Sequence, residues 1–349
     1  MPNFDDFKLS IEQLSGGKNT VLFDDREMPS VMVPIPKFKL SEVISGASQN
    51  VHPAFLVDGV EKDVVYVSKF LNIVINERAY SLAGKNPRDY VNFDQAMTYC
   101  RNKGNGWCVT PFAVWAALAL WCRANGTMPR GNNNYGKDIS YPLEKGAAAT
   151  KDGSGNILHT LTGSGPNTWN HNWMPDGIAD MNGLLWEWLA AMRLLDGEIQ
   201  IIPYSNIFNP EVSNAAASTA WKAIKSDGSL VDPGTAGTLK YDYVSSKIQL
   251  TTSITTSADA SRSCGYTGMT LASGLTAPEI VQALALYPNA PGEDYGGDNV
   301  WMNNSGERLP FRGGSWTSGV GAGVFALNLH HPRSGSGSVL GFRAAFVNL

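Results

Sequence analysis

RGGSWTSGVGAGVFALNLHHPRSGSGSVLGFRAAF, residues 312 to 346, decides how the rest of this chain is read. Two kinds of residue alternate in it. Trp316, Phe325, Leu327, Leu329 and Phe342 are large and apolar, as a packed frame requires. Between them stand Ser315, Thr317, Ser318, Gly321, Ala326, Asn328, His330, His331, Gly335, Gly337, Ser338 and Val339, with no recognisable catalytic combination. Gly313, Gly314, Gly319 and Gly323 supply turns whose shape does not depend on neighbouring side chains. Arg312 and Arg343 bracket the stretch, and each guanidinium offers five donors to the carbonyls of nearby loops. The pattern predicts a fixed scaffold carrying exchangeable slots, with function on loops that rigid elements position.

The whole chain bounds that reading. Its 349 residues allow one large or two medium domains with a sizeable core. The 36 glycines and 10 tryptophans suit a loop-rich fold pinned by buried aromatics. A net charge of −4 leaves no basic stripe to neutralise phosphates, which argues against nucleic-acid binding. No run of eighteen apolar residues occurs, so no membrane span is expected. The N-terminus has neither the basic start nor the apolar run of a secretory signal, and no lipid-attachment cysteine. Synthesis in the cytoplasm is expected, with any work outside a cell done as part of a larger particle such as a virion. Cys100, Cys108, Cys122 and Cys264 lack metal-ligand spacing. Cys100 and Cys122 read as buried thiols, and pairing of Cys100 with Cys108 stays open.

Along the chain, residues 1–27 read as a leader or assembly segment, and 28–349 as one domain. SVMVPIPKFKL and DVVYVSKFLNIVI read as strands, the first with Pro34 and Pro36 at its edge. NFDQAMTYCRNKG is a helix with Phe93, Ala96, Met97 and Cys100 on one face, stopped by Gly104. TPFAVWAALALWCRANG is a second helix, with Thr110 as its cap, Pro111 in its first turn and Gly126 at its end. Being apolar almost all round, it should lie buried between layers. LLWEWLAAMRLL and EIQIIP read as strands and PEIVQALAL as a short helix. From about 205 to 276, Ser, Thr, Ala and Gly dominate, as in a long insertion of short strands. No fixed-period repeat is present.

The framework GWCVTPFAVWAALALWC, DMNGLLWEW, RGGSW and GFRAAF resembles the formylglycine-generating-enzyme branch of the C-type lectin fold. Within that branch, the PRGNNNYG loop, the LLDGEIQIIP strand and the spacing of the last forty residues resemble the variable proteins of diversity-generating retroelements, found in phages and bacteria. The resemblance covers roughly residues 28–349. It implies an α+β class: a small twisted antiparallel sheet, two helices, long loops and a large insertion. It also tests itself. The sulfatase-activating enzymes place two cysteines after RGGSW, and the matching positions here hold Ser318 and Gly323, so the copper-binding oxidising pair is missing. Iron enzymes of the fold need a histidine triad, whereas His330 and His331 are adjacent. In the variable proteins, AAC codons become NNC codons, which encode Asn, Ser, Thr, Gly, Ala, His or Val but never Lys, Glu, Gln, Met or Trp. The twelve slots between residues 315 and 339 hold only permitted types.

The resemblance therefore implies a non-catalytic binder of a protein or cell-surface receptor, with no cofactor; a phage tail is the leading setting, where several copies would add avidity, and the oligomeric state stays open. Ser315, Thr317, Ser318, Gly321, Ala326, Asn328, His330, His331, Gly335, Gly337, Ser338 and Val339 would form the ligand surface. Arg312, Gly313, Gly314, Trp316, Phe325 and Arg343 would form its scaffold, and His330 and His331 are the foremost candidates for contact. Asp176, Asp180, Glu187 and Asp196 could hold a structural calcium ion with loop carbonyls, or serve only as turn caps and surface charges. Trp169, Trp173, Trp186 and Trp188 could stack on sugars, although packing is their more usual role.

Overall fold

The computed structural model describes residues 4–290 and 292–349. It is a mixed α+β structure of helices, three antiparallel or mixed sheets of five to eight strands, and two two-stranded sheets. The expectation of one small antiparallel sheet is corrected here. Many strands run for only two to five residues, too short for an alternation of apolar and polar residues to announce them.

The five-stranded sheet runs Thr20–Phe23, Pro29–Pro36, Val64–Ser68, Ala344–Phe346, Trp107–Val109. Residues 4–27, expected to be a leader or assembly segment, contribute the helix Phe4–Leu14 and the first of these strands. Thr20–Phe23 reaches only residues 29–32 of its neighbour, so Pro34 and Pro36 lie where one side of that strand is open. A six-stranded sheet runs Arg262–Gly265, Asn299–Met302, Gly323–Leu329, Phe311–Gly313, Trp186–Trp188, Leu340–Phe342. Two of its pairings are parallel: Asn299–Met302 with Gly323–Leu329, and Trp186–Trp188 with Leu340–Phe342. Five strands of the 205–276 segment join Met192–Leu195, Glu198–Ile201 and Glu307–Arg308 in a third, eight-stranded sheet, while Arg262–Gly265 stays in the six-stranded one.

LLWEWLAAMRLL is two strands, Trp186–Trp188 and Met192–Leu195, because Ala191 turns the backbone at φ 69°. DVVYVSKFLNIVI likewise divides into Val64–Ser68 and Ile73–Ile75. The helix Phe93–Arg101 starts with a reciprocal cap: Gln95 N–H donates to the Asn92 side chain, and Asn92 N–H to the Gln95 side chain. The helix Phe112–Ala124 is buried from Phe112 to Leu120, as its all-round apolarity predicts. Its cap differs from expectation. Pro111 is the extended residue before the helix, and the Thr110 hydroxyl instead donates to the Arg343 carbonyl at 2.9 Å. With Pro111 at the cap position, Thr110 lies one residue before the cap, and no side chain accepts from the first turn.

That helix sets the position of the C-terminal strands. The Trp115 indole N–H donates to the Val324 carbonyl at 2.8 Å, and the Phe112 ring lies 4.7 Å below the Arg312 guanidinium. All four cysteines are free, and Cys100, Cys108 and Cys122 are buried. Among the described residues no helix is long and apolar enough to cross a membrane.

Candidate functional site

Arg343 sits where the chain leaves the six-stranded sheet after Leu340–Phe342 and enters the five-stranded sheet at Ala344–Phe346. Its guanidinium is fully buried and spends its donors on both sides. It donates to Glu187 at 2.8 and 2.7 Å and to the carbonyls of Ser68, Lys69 and Ala179 at 2.9, 3.1 and 2.9 Å. Burial pushes the Glu187 carboxyl up, and Arg343 pulls it back. Arg312, also fully buried, donates to the carbonyls of Phe325 (3.1 Å) and Ala285 (2.7 Å). Burial lowers its pKa to about 10. Both arginines thus bond the carbonyls of other segments, as the sequence predicts.

Between the two arginines ten of the twelve slots fall in two groups, one at either end of the strand Gly323–Leu329, and Ala326 and Asn328 lie within that strand. The first is the loop 314–321. Gly313 and Gly314 have φ of 96° and 89°, and a Cβ on Gly314 would meet the Ala322 Cβ at 2.4 Å. Backbone bonds clamp this loop to the 129–136 loop: Tyr135 N–H donates to the Trp316 carbonyl (2.9 Å) and Gly319 N–H to the Asn133 carbonyl (3.0 Å). The Ser318 hydroxyl accepts from Ser315 N–H at 2.9 Å and lies 3.2 Å from the Ser315 hydroxyl. Trp316 is half-buried against Tyr135, with ring centroids 5.5 Å apart.

The second group lies in residues 330–339. His330 and His331 stack with centroids 4.0 Å apart, and His331 lies 5.0 Å from the Phe311 ring. Burial lowers the pKa of both, His330 to about 4, with His331 and then Arg308 adding to the shift at His330. Backbone bonds again hold the loop, from Tyr90 N–H to the Gly337 carbonyl (3.1 Å) and from Trp186 N–H to the Val339 carbonyl (2.8 Å).

Exposure sorts the expected slots. Thr317 is exposed, and Ser318, His330, His331, Gly335, Gly337, Ser338 and Val339 are half-buried. Ser315, Gly321, Ala326 and Asn328 are buried, which corrects the expectation that residues 315–339 are displayed as one face. The reason lies in the sheet. Strands Asn299–Met302 and Phe311–Gly313 flank Gly323–Leu329 on both edges, and every residue of that central strand is covered. Asn328 serves the turn itself, its side chain accepting from His330 N–H at 3.1 Å. Val320, 63% exposed between two of the slots, lies outside the expected set, although valine is a type the NNC rule permits.

Of the two positions that the resemblance matches to catalytic cysteines, Ser318 carries a hydroxyl and Gly323 has no room for a side chain. Gly323 has φ 153°, and a Cβ there would stand 2.2 Å from an Asp298 carboxylate oxygen. Asp298 itself is buried; its other oxygen accepts from Phe325 N–H (2.7 Å) and Ala326 N–H (3.0 Å). Sequence reading missed Asp298, because nothing near residue 298 marks it as a partner of residue 325.

The four acids considered for calcium have separate partners. Asp176 pairs with Lys18 at 3.1 Å, Asp180 accepts from Gly163 N–H at 2.8 Å, Glu187 is held by Arg343, and Asp196 accepts from Gly306 N–H at 2.8 Å. Among the described residues no group of three or more His, Cys, Asp or Glu side chains could hold a metal ion. Trp169 and Trp188 are fully buried and Trp186 nearly so, which leaves Trp173 as the half-exposed member of that set.

No known family profile matches the chain, and no curated protein is significantly similar to it. Solved structures do resemble it. PvdO from Pseudomonas aeruginosa is 14% identical with a TM-score of 0.38, over 94% of this chain and 98% of its own. Treponema denticola variable protein 1 is 12% identical with a TM-score of 0.36, over 95% of this chain and 99% of its own. The U1 variant of Major Tropism Determinant is 10% identical with a TM-score of 0.31, over 91% of this chain and 63% of its own. At such identities and TM-scores none of them lends a residue's role to this chain. Variable proteins, the group that the C-terminal motifs resemble, are among the solved structures similar to this chain.

Proposed function

We propose that this chain is a non-catalytic binding protein that carries changeable side chains on a scaffold of the C-type lectin, formylglycine-generating-enzyme type. The target is a protein or cell-surface receptor, and a phage tail is the proposed setting, with several copies adding avidity. One observation carries the reading. The two loops that hold the accessible slots are fastened by bonds between backbone atoms, and the frame beneath them by arginine bonds to carbonyls. Side chains at Thr317, Val320, His331, Gly337 or Ser338 can then change while the fastenings stay. Antibody paratopes separate frame from contact residues in the same way. The buried positions Ser315, Gly321, Ala326 and Asn328 belong to this proposal only as residues that shape the loops from below.

The decisive test is genomic. A near-copy of the codons for residues 312–346 should lie beside a reverse-transcriptase gene and differ from them only at adenines. A complete genome with neither the copy nor the neighbour would refute diversification. Calcium-dependent glycan binding that survives substitution of Thr317, Val320 and His331 would favour a lectin of fixed specificity instead.

A further inference from the structure

The helix Phe4–Leu14 is only partly seated on the body of the protein. Phe7, Ile11 and Leu14 share one face of it, and the first two pack on the buried cluster of Val31, Phe70 and Ala179. Leu14 lies outside that cluster and is 87% exposed. A pocket of about 610 Å³ remains between this face and the floor, lined by Phe7, Ile11, Leu14, Val31, Phe70 and Leu82. Met174, 52% exposed, is a second large apolar side chain at the same pocket that lacks cover. A pocket of this size, apolar with a few polar groups that fix orientation, is the usual form of a small-molecule site.

The charges around the pocket do not balance. The acid in its lining, Asp176, is taken by Lys18 at 3.1 Å and by the Asn172 amide at 3.0 Å. Lys69 is half-buried, and its ammonium donates to two neutral oxygens, Asn19 Oδ1 and the Pro175 carbonyl, both at 2.6 Å. Burial lowers its pKa, against the pull of Asp176. Lys85 also lines the pocket, and its side chain has no hydrogen bond or ion pair among the described residues. Two ammonium groups without a carboxylate of their own therefore stand at an apolar pocket, in a chain whose net charge is −4. A partly desolvated cation is favoured by an opposite charge on whatever fills the space beside it. A second copy of the chain suits the place poorly, since a two-fold contact centred on the pocket would bring the same lysines together.

We propose that this pocket binds one aliphatic carboxylate, a medium-chain fatty acid, with its chain against Phe7, Ile11, Leu14 and Phe70 and its head received by Lys69 and Lys85. The site goes beyond the display reading and does not rest on it. All of its residues lie outside 312–346, so it stays constant whatever the slots carry.

The test is titration of the whole chain with decanoate, decanol and decylamine, each kept below its aggregation limit, followed by calorimetry and amide NMR shifts. Saturable binding of one decanoate is expected, with shifts at Leu14, Phe70 and Leu82. Decanol should bind about tenfold more weakly or worse, and decylamine more weakly still. Lys69→Met should weaken decanoate by about tenfold or more and leave decanol unchanged, which separates the head from the chain. Leu14→Asp, at an exposed position, should weaken both. Lys85 has no side-chain bond to lose, so Lys85→Met decides the matter if Lys69→Met fails to fold. Absence of saturable decanoate binding, equal affinity for the three head groups, or decanoate affinity unchanged in the deciding lysine variant overturns the proposal. So does a dimer in sedimentation that Leu14→Asp dissociates and decanoate does not, which would assign the pocket to a second copy.

Discussion

Replacing Arg343 by methionine tests the frame at the junction of two sheets. In the intact protein its guanidinium makes two hydrogen bonds to Glu187 and three to backbone carbonyls, and both side chains of the pair are at most 1% exposed. Removing one member of such a pair leaves the other as an unpaired buried charge, at about 3–5 kcal/mol. The carbonyls of Ser68, Lys69 and Ala179 lose a donor as well, each at about 1 kcal/mol or more where water cannot replace it. Methionine returns part of this through apolar packing, and Glu187 returns part by taking up a proton. The expected net loss is about 4 kcal/mol, a large share of the roughly 5–15 kcal/mol that holds a folded domain. Glu187→Gln keeps an acceptor for Arg343 and should lose less, about 2 kcal/mol. The double variant Glu187→Leu with Arg343→Met should lose less than the sum of the losses of Glu187→Leu and Arg343→Met alone, with a coupling of at least about 2 kcal/mol. Urea unfolding at pH 7, followed by tryptophan fluorescence and near-ultraviolet circular dichroism, measures all of these. A loss below about 1.5 kcal/mol for Arg343→Met, or an additive cycle, refutes the claim that this pair joins the sheets.

Three further outcomes follow from the same geometry. Thr317→Asn and Val320→Asn should change stability by no more than about 0.5 kcal/mol. Ala326→Asn, a change the NNC rule permits, should cost about 2–4 kcal/mol, because the side chain enters a fully covered strand; equal tolerance at all three in thermal denaturation would contradict the burial argument. Lys103 is 1% exposed, donates to the Ser30 hydroxyl and the Ala79 carbonyl, and is lowered by burial from 10.5 to about 7. Below pH 7 both folded and unfolded chains hold its proton and the cost is complete; from pH 7 to 9 only the unfolded chain does. Lys103 by itself should therefore raise stability by about 1 kcal/mol from pH 7 to 8 and about 2 kcal/mol across the whole window. From about pH 8 upward the thiols Cys100, Cys108 and Cys122, raised by burial, ionise first in the unfolded chain and offset that gain. Lys103→Met should flatten the rise, and an unchanged pH profile of the urea midpoint in that variant would count against it. His330 should titrate in NMR at about 4, well below an ordinary imidazole, with the stability of its neutral form lost between about pH 6.5 and 4. A midpoint above 6 would mean that the stacked pair is open to water.

Much of the frame is written into local sequence. The buried helix Phe112–Ala124 is legible because nearly every residue from 112 to 120 is apolar, and no arrangement in water can hide all its faces without neighbours. Arg312 and Arg343 are legible as carbonyl donors because a guanidinium carries five N–H groups and the glycines beside Arg312 allow close backbone approach. The missing thiols at Ser318 and Gly323 are plain in the letters, as is the restricted set of residue types in the slots.

Which of those slots reach the surface is a different kind of question. Ala326 and Asn328 look exchangeable in sequence, yet Asn299–Met302 and Phe311–Gly313 cover both edges of their strand. Strand partners are chosen by register between distant segments, and a run of small residues carries no mark of what will lie against it. The same reason hid Asp298, whose place beneath Phe325 and Ala326 depends on the parallel pairing of two strands separated by the 303–322 connection. The bond from the Thr110 hydroxyl to the Arg343 carbonyl, 233 residues away, is of the same kind. The sequence by itself determined the α+β character, the buried helix and the arginine-bonded frame of the C-terminal segment, because apolar periodicity, glycine and guanidinium act locally. The tertiary structure alone decided which positions meet solvent, which acids are buried and where the two sheets are tied, because burial and hydrogen-bond partners come from segments that meet only in the folded chain.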